Sequence, residues 1–228
     1  MLWPFYVLFK PHNRKVRSRS ISPAEPVSQL KTIPIIESGE ELVDFREACP
    51  LLKIAPPFFN YRRETLVRAS VARMLDEATR NLPKGIHLAI VEGWRAPLIQ
   101  ERMYQGACDR VRKQFPHYSE VQVRRVANTY TAPLNKKVPP PHSTGGAVDV
   151  FLVDDAGNFL NHTHPLDRHD MKGFAFASRY ISEEAKRVRQ ILADALLPTG
   201  LTNFPFREGD VPGVTMEVGD PKKAWILA

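Results

Sequence analysis

The sequence predicts an α+β fold. Helical and strand-like periodicities alternate along the chain without the regular strand–helix–strand rhythm of a doubly wound sheet. Twenty prolines in 228 residues call for several rigid, irregular loops. Hydrophobic residues make up 43% and charged residues 25%, an ordinary globular balance, and the length suits one sizeable core.

The first 34 residues are basic, rich in Ser and Pro, and without periodicity, so residues 1–34 read as a loosely ordered extension and 35–228 as the folded domain. Glu64 to Arg80 reads as a helix, with Val67, Val71, Met74, Leu75 and Ala78 on one face and Pro83 and Gly85 beyond its end. Ile86 to Val91 is a short buried strand. Glu92-Gly93-Trp94-Arg95 leaves it, and Pro97 opens a helix to about Lys113. Ser119 to Ala127 is helical, and Asn128 to Pro141 is extended. Ala147 to Val153 alternates: Ala147, Asp149, Phe151 and Val153 share one side, and Val148, Val150 and Leu152 the other. Asp154 to Asn158 is a turn that closes a hairpin. Ile181 to Leu196 is a helix with Ser182 as N-cap, ended by Pro198 and Gly200. The tail from Leu201 carries strand-like fragments at Val214 to Val218 and Ala224 to Leu227.

The net charge is +7, concentrated in Lys10 to Arg19 and in a second group at Arg110, Arg112, Lys113, Arg124 and Arg125. No helix-turn-helix, zinc-finger or RNA-binding signature accompanies it, so it reads as a solvated basic surface and no nucleic-acid partner is expected. Cys49 and Cys108 lie too far apart in sequence for a zinc knuckle or a redox motif, and read as two reduced thiols; a disulfide between them is the alternative. At the N-terminus a short apolar run precedes the charges, the reverse of a signal peptide, and Pro4 interrupts it. No segment approaches the length of a membrane span, so the expectation is a cytoplasmic protein. The oligomeric state is left open.

Two segments carry chemistry. In Pro139-Pro140-Pro141-His142-Ser143-Thr144-Gly145-Gly146-Ala147-Val148-Asp149, a histidine in a turn precedes by seven residues a carboxylate in a strand. The glycines allow a sharp bend, so an imidazole and a carboxylate can reach one point, and zinc accepts both donor types. A loop His and a strand-end Asp that bond backbone are the simpler alternative. In Glu92-Gly93-Trp94-Arg95, a glycine turn presents an arginine between strand and helix. Arg95 can neutralise an oxyanion, grip a carboxylate, or pair structurally with Glu92.

Together these segments resemble the VanX-type D-alanyl-D-alanine dipeptidases, over about three quarters of the chain, from Ile36 to Leu201-Thr202-Asn203-Phe204-Pro205. The resemblance implies a small central, mostly antiparallel sheet flanked by helices. It implies one Zn²⁺ held by His142 and Asp149, with Arg95 stabilising the transition state. The implied substrate is a small dipeptide such as D-Ala-D-Ala, and the implied reaction is attack of water on its amide, with a carboxylate taking the proton.

The family then supplies that base and a third ligand from a Glu-Trp-Trp-His run. This chain has none, and no His follows His169. Register taken back from Gly219-Asp220 puts Thr215 at the ligand position and Pro212 at the base position. The candidates that remain are His169, His162 or His164 as ligand, Glu217 or Glu208 as base or ligand, and Asp167 near the substrate amine. Two expectations follow: a zinc dipeptidase, or a catalytically inactive relative that binds a peptide or cell-wall fragment.

Overall fold

Nine short strands and six helices are built around one mixed sheet in the computed structural model, which describes residues 35–56, 61–128, 131–135, 139–161, 181–203, 214–218 and 225–227. In chain order the elements are β1 (Ile35–Glu37), β2 (Leu42–Asp44), α1 (Phe45–Ala48), β3 (Lys53–Ile54), β4 (Leu66–Arg68), α2 (Ala69–Arg80), β5 (Ile86–Glu92), α3 (Pro97–Gln114), α4 (Glu120–Ala127), α5 (Pro141–Thr144), β6 (Ala147–Asp154), α6 (Glu183–Leu196), β7 (Leu201–Asn203), β8 (Val214–Val218) and β9 (Trp225–Leu227). The main sheet runs β3-β5-β6-β8-β7; only β3 and β5 are parallel. The architecture is thus α+β, mostly antiparallel, with helices packed on it. Two smaller ladders pair β2 with β4, antiparallel, and β1 with β9, parallel.

Strand periodicity sorts the core. Leu88, Ile90, Val148, Val150 and Leu152 point to one face, where they meet Val71, Ala72, Leu75 and Ala78 of α2 and Val188, Leu192 and Leu196 of α6. Ala89, Val91, Phe151 and Val153 point to the other and pack with Ala55 and Phe159. Helices α3 and α4 close a separate small core of Tyr104, Ala107, Cys108, Val111, Val123 and Ala127.

Local signals fix most helix ends. Pro97 occupies the first turn of α3. Ser119 and Gln122 form a capping box on α4, and Ser182 Oγ accepts from Ala185 N on α6. The second helix is a correction. It starts at Ala69 and not at Glu64, because Leu66–Arg68 pair with Leu42–Asp44 as a strand. Val67 is fully buried in that strand beside Val71 and Leu75, so a strand entering a helix mimics one more helical turn in the sequence pattern.

Both cysteines are buried free thiols. Cys49 Sγ lies 3.1 Å from the Ala72 carbonyl, and burial, aided by the Asp76 carboxylate, pushes its pKa up to about 11. Native protein at pH 8 is therefore expected to react with an aromatic disulfide reagent at least about tenfold more slowly than denatured protein. Equal rates would show that Cys49 is accessible. Among the described residues no helix is long and apolar enough to cross a membrane.

Candidate metal centre

The site begins with a register shift. Ile90 pairs with Val150, but the next pair is Glu92 with Asp149, so one extra residue is accommodated in β5. An unbroken strand would send Glu92 after Leu88 and Ile90 into the apolar face. The extra residue turns it to the side of Asp149, where a carboxylate finds partners. Arg63 caps the irregularity: its Nη1 donates to Val91 O at 2.5 Å and its Nη2 to Ala55 O at 2.9 Å. On the other side of β6, Thr215 of β8 is paired with Asp149. Glu92, Asp149 and Thr215 thus form one row across three strands.

Gly93 lets the chain leave β5 in close contact with β4. A Cβ there would lie 2.6 Å from Leu66 O and 2.7 Å from Val67 Cγ1. Trp94 N donates to Leu66 O at 2.7 Å and Arg95 N to His142 O at 2.9 Å. His142 sits in the four-residue helix α5, which ends at Gly145 with φ +78°. The ring is buried, and its Nδ1 lies 3.0 Å from Gly93 O. A carbonyl only accepts, so Nδ1 carries a proton, which leaves Nε2 as the nitrogen that can give a lone pair to a metal ion once it sheds its own proton. Nε2 lies 3.4 Å from Asp149 Oδ2. Burial alone would lower the imidazole pKa, but the Asp149 carboxylate outweighs it and the net shift is upward.

Arg95 lies beside this pair, 9% exposed. Its Nε donates to Glu92 Oε1 at 3.0 Å, its Nη2 to Glu92 Oε2, and its Nη1 to Gln100 Oε1 at 2.8 Å. Gln100 is held in turn by donating to Ala132 O at 2.7 Å. Tyr61 Oη donates to Glu92 Oε1 at 2.5 Å. Burial would lower the guanidinium pKa, yet the Glu92 carboxylate raises it well above its ordinary value, so Arg95 is a fixed cation.

Of the residues singled out in the sequence, the structure brings Arg95, His142 and Asp149 together. The structural partnership of Arg95 with Glu92 is present as well. Glu217 is placed by its backbone in β8, paired with Ala147. His162, His164, Asp167, His169, Glu208 and Pro212 lie outside the described residues. Sequence reasoning missed Tyr61 and Gln100. For Gln100 a signal existed: it falls on the apolar face of α3 at helical spacing from Tyr104, Ala107 and Val111.

Donor atoms of Glu92, His142 and Asp149 all lie within 4.8 Å of one another. Glu92 is committed to Arg95 and Tyr61. His142 and Asp149 fit a metal ion on three counts. An imidazole nitrogen faces a carboxylate oxygen, so the two donor types that zinc accepts meet at one point. The opposite ring nitrogen is fixed by a carbonyl, as metal-ligating histidines require. Finally, a four-coordinate ion with bonds of about 2.0–2.1 Å separates its ligand atoms by about 3.3–3.4 Å, which is the spacing seen.

Comparison with known proteins gives the family. Residues 59–207 match the family model described as D-Ala-D-Ala dipeptidase. A D-alanyl-D-alanine dipeptidase of Synechocystis sp. is 28% identical over 218 residues, covering 81% of this chain and 88% of that protein. Among solved structures, VanYB in complex with D-alanine-D-alanine superposes with a TM-score of 0.40 at 14% identity, over 74% of this chain and 86% of the other. The LdcB LD-carboxypeptidase gives 0.41 at 18% identity, over 75% and 68%. With the family model spanning well over half of its residues, the chain belongs to the D-Ala-D-Ala dipeptidase family.

Proposed function

We propose that this protein is a zinc-dependent peptidase that hydrolyses D-Ala-D-Ala or a closely related dipeptide. The observation that carries the reading is the His142–Asp149 pair: Nε2 and Oδ2 stand at the edge length of a zinc tetrahedron, with Nδ1 tied to Gly93 O and a buried guanidinium alongside. When bound, zinc supplies Lewis-acid polarisation of the scissile carbonyl and a water acidic enough to attack near neutral pH. His142 and Asp149 would hold it. Arg95 is kept charged and oriented by Glu92 and Gln100, and its positive charge would stabilise the negative charge that develops on the amide carbonyl oxygen. Glu217 is assigned as proton acceptor from its strand position, paired with Ala147 two residues before Asp149 on β6.

A second reading is favoured by one observation. The strand position paired with Asp149 carries Thr215, which is a poor zinc ligand beside His or Cys. A protein with two protein ligands would hold zinc weakly and could serve as a binding protein for a peptide or cell-wall fragment.

Zinc content and D-Ala-D-Ala hydrolysis of the native chain, His142→Ala and Asp149→Asn separate the two. The peptidase reading expects zinc-dependent hydrolysis in the native chain and none in His142→Ala. Asp149→Asn should weaken zinc by more than the roughly 10–100-fold seen when only a ligand's supporting partner is lost. No hydrolysis at any added zinc, with dipeptide binding that persists in chelator, would establish the binding-protein reading instead.

A further inference from the structure

Arg68 ends β4, and its partners come from two separate segments, 37–40 and 144–145. Its Nε donates to Thr144 O at 2.8 Å, its Nη1 to Glu40 O and its Nη2 to Glu37 Oε2 at 3.0 Å. Its backbone N–H donates to Gly145 O at 3.1 Å. Its side chain is 13% exposed, and a Cβ on Gly145 would lie 3.3 Å from Arg68 Cγ, so the aliphatic stem packs against the turn that ends α5. Carbonyls at the end of a helix lack partners within the helix. Here Arg68 satisfies two successive ones, Thr144 O through its side chain and Gly145 O through its backbone.

The placement of these bonds gives them a consequence for the site. The imidazole of His142 is oriented by Gly93 O, and the chain at Gly93-Trp94 rests on Leu66 O of β4. The turn that carries the imidazole rests on Arg68, at the other end of the same three-residue strand. β4 therefore holds both the ring's backbone and the ring's hydrogen-bond acceptor. Loss of the Arg68 clamp lets α5 drift relative to Gly93 and disturbs Nε2 against Asp149 Oδ2.

We propose that Arg68 is a positioning residue for the metal centre: by clamping the end of α5 to β4 it fixes the His142 imidazole and so sets metal affinity. The proposal rests on the zinc reading above. Its sign is diagnostic. Removing a positive charge near a cation site would by itself tighten zinc, whereas loss of positioning weakens it.

The test measures zinc dissociation constants by chelator competition, and amide hydrogen exchange of the metal-free proteins, for the native chain, Arg68→Met, Arg68→Lys and Glu37→Gln. Arg68→Met keeps the stem and is expected to weaken zinc at least about tenfold. It should also speed exchange at the Ser143 and Gly145 amides, which donate to Pro140 O and His142 O within the turn. Arg68→Lys, which keeps the charge but replaces the rigid guanidinium fork with a single ammonium, should fall between. Glu37→Gln removes only the exposed ion pair and should stay within about twofold of native. Native zinc affinity in folded Arg68→Met overturns the proposal; if that variant does not fold, native affinity in Arg68→Lys does the same. A native chain that binds no zinc defeats the zinc reading instead, and the proposal then stands or falls on the exchange rates of the metal-free turn, unchanged rates overturning it.

Discussion

Replacing Glu92 by Gln is expected to destabilise the protein by about 3 kcal/mol or more, within the roughly 3–5 kcal/mol typical of breaking a buried ion pair. Glu92 is 2% exposed and its partner Arg95 9%. The substitution keeps the size of the side chain but leaves the guanidinium buried without its carboxylate. It also turns an NH₂ group toward Arg95 or Tyr61, where an acceptor stood. Asp149 lies near enough to raise the Arg95 pKa, so it offsets part of the loss and places the effect toward the lower end. Chemical denaturation measures the change, and a loss below about 1 kcal/mol would show that the pair is not coupled as described. Adding Arg95→Met to Glu92→Gln should recover much of the stability, because the uncompensated charge is gone. On the proposed mechanism activity should not return, since the cation assigned to the oxyanion has gone with it. This split between stability and activity separates the two roles of Arg95.

Thr215→His is expected to tighten zinc by about a hundredfold or more, since a new ligand should outweigh the 10–100-fold effect of a supporting partner. The argument is one of register. Thr215 is paired with Asp149 across β6 and β8, and directly opposed residues on neighbouring antiparallel strands are close neighbours. A His at that position would bring the candidate ligands among the described residues, His142 and Asp149, to three, the number usual in catalytic zinc sites. Competition with a chromophoric chelator measures the gain. The same substitution in an Asp149→Asn background should gain far less, because the row then lacks its central ligand. An unchanged dissociation constant would show that the β8 position does not reach the metal.

Local chemistry explains which elements were legible in the sequence. The limits of α3, α4 and α6 follow from Pro97, from the Ser119–Gln122 box and from Ser182, all signals contained within one turn of the element they define. The two faces of β6 follow from a period of two. The start of α2 failed for the same reason that these succeeded. Leu66 to Arg68 carry no local signal against a helix, and only pairing with Leu42 to Asp44, more than twenty residues away, makes them a strand.

By itself, then, the sequence determined the α+β class and most of the helices, and through the family resemblance it singled out Arg95, His142 and Asp149, which the structure brings together. The tertiary structure decided how they are held. It placed the register shift that turns Glu92 from the core toward Asp149, the Glu92–Gln100–Tyr61 shell that fixes Arg95, and the pairing that sets Thr215 against Asp149. Caps and periodicities are short-range and can be read from neighbouring residues. Strand register is a long-range choice, made where distant segments satisfy one another's backbone groups and bury their side chains, and a shift of one residue is enough to move a carboxylate from the core to the side of Asp149.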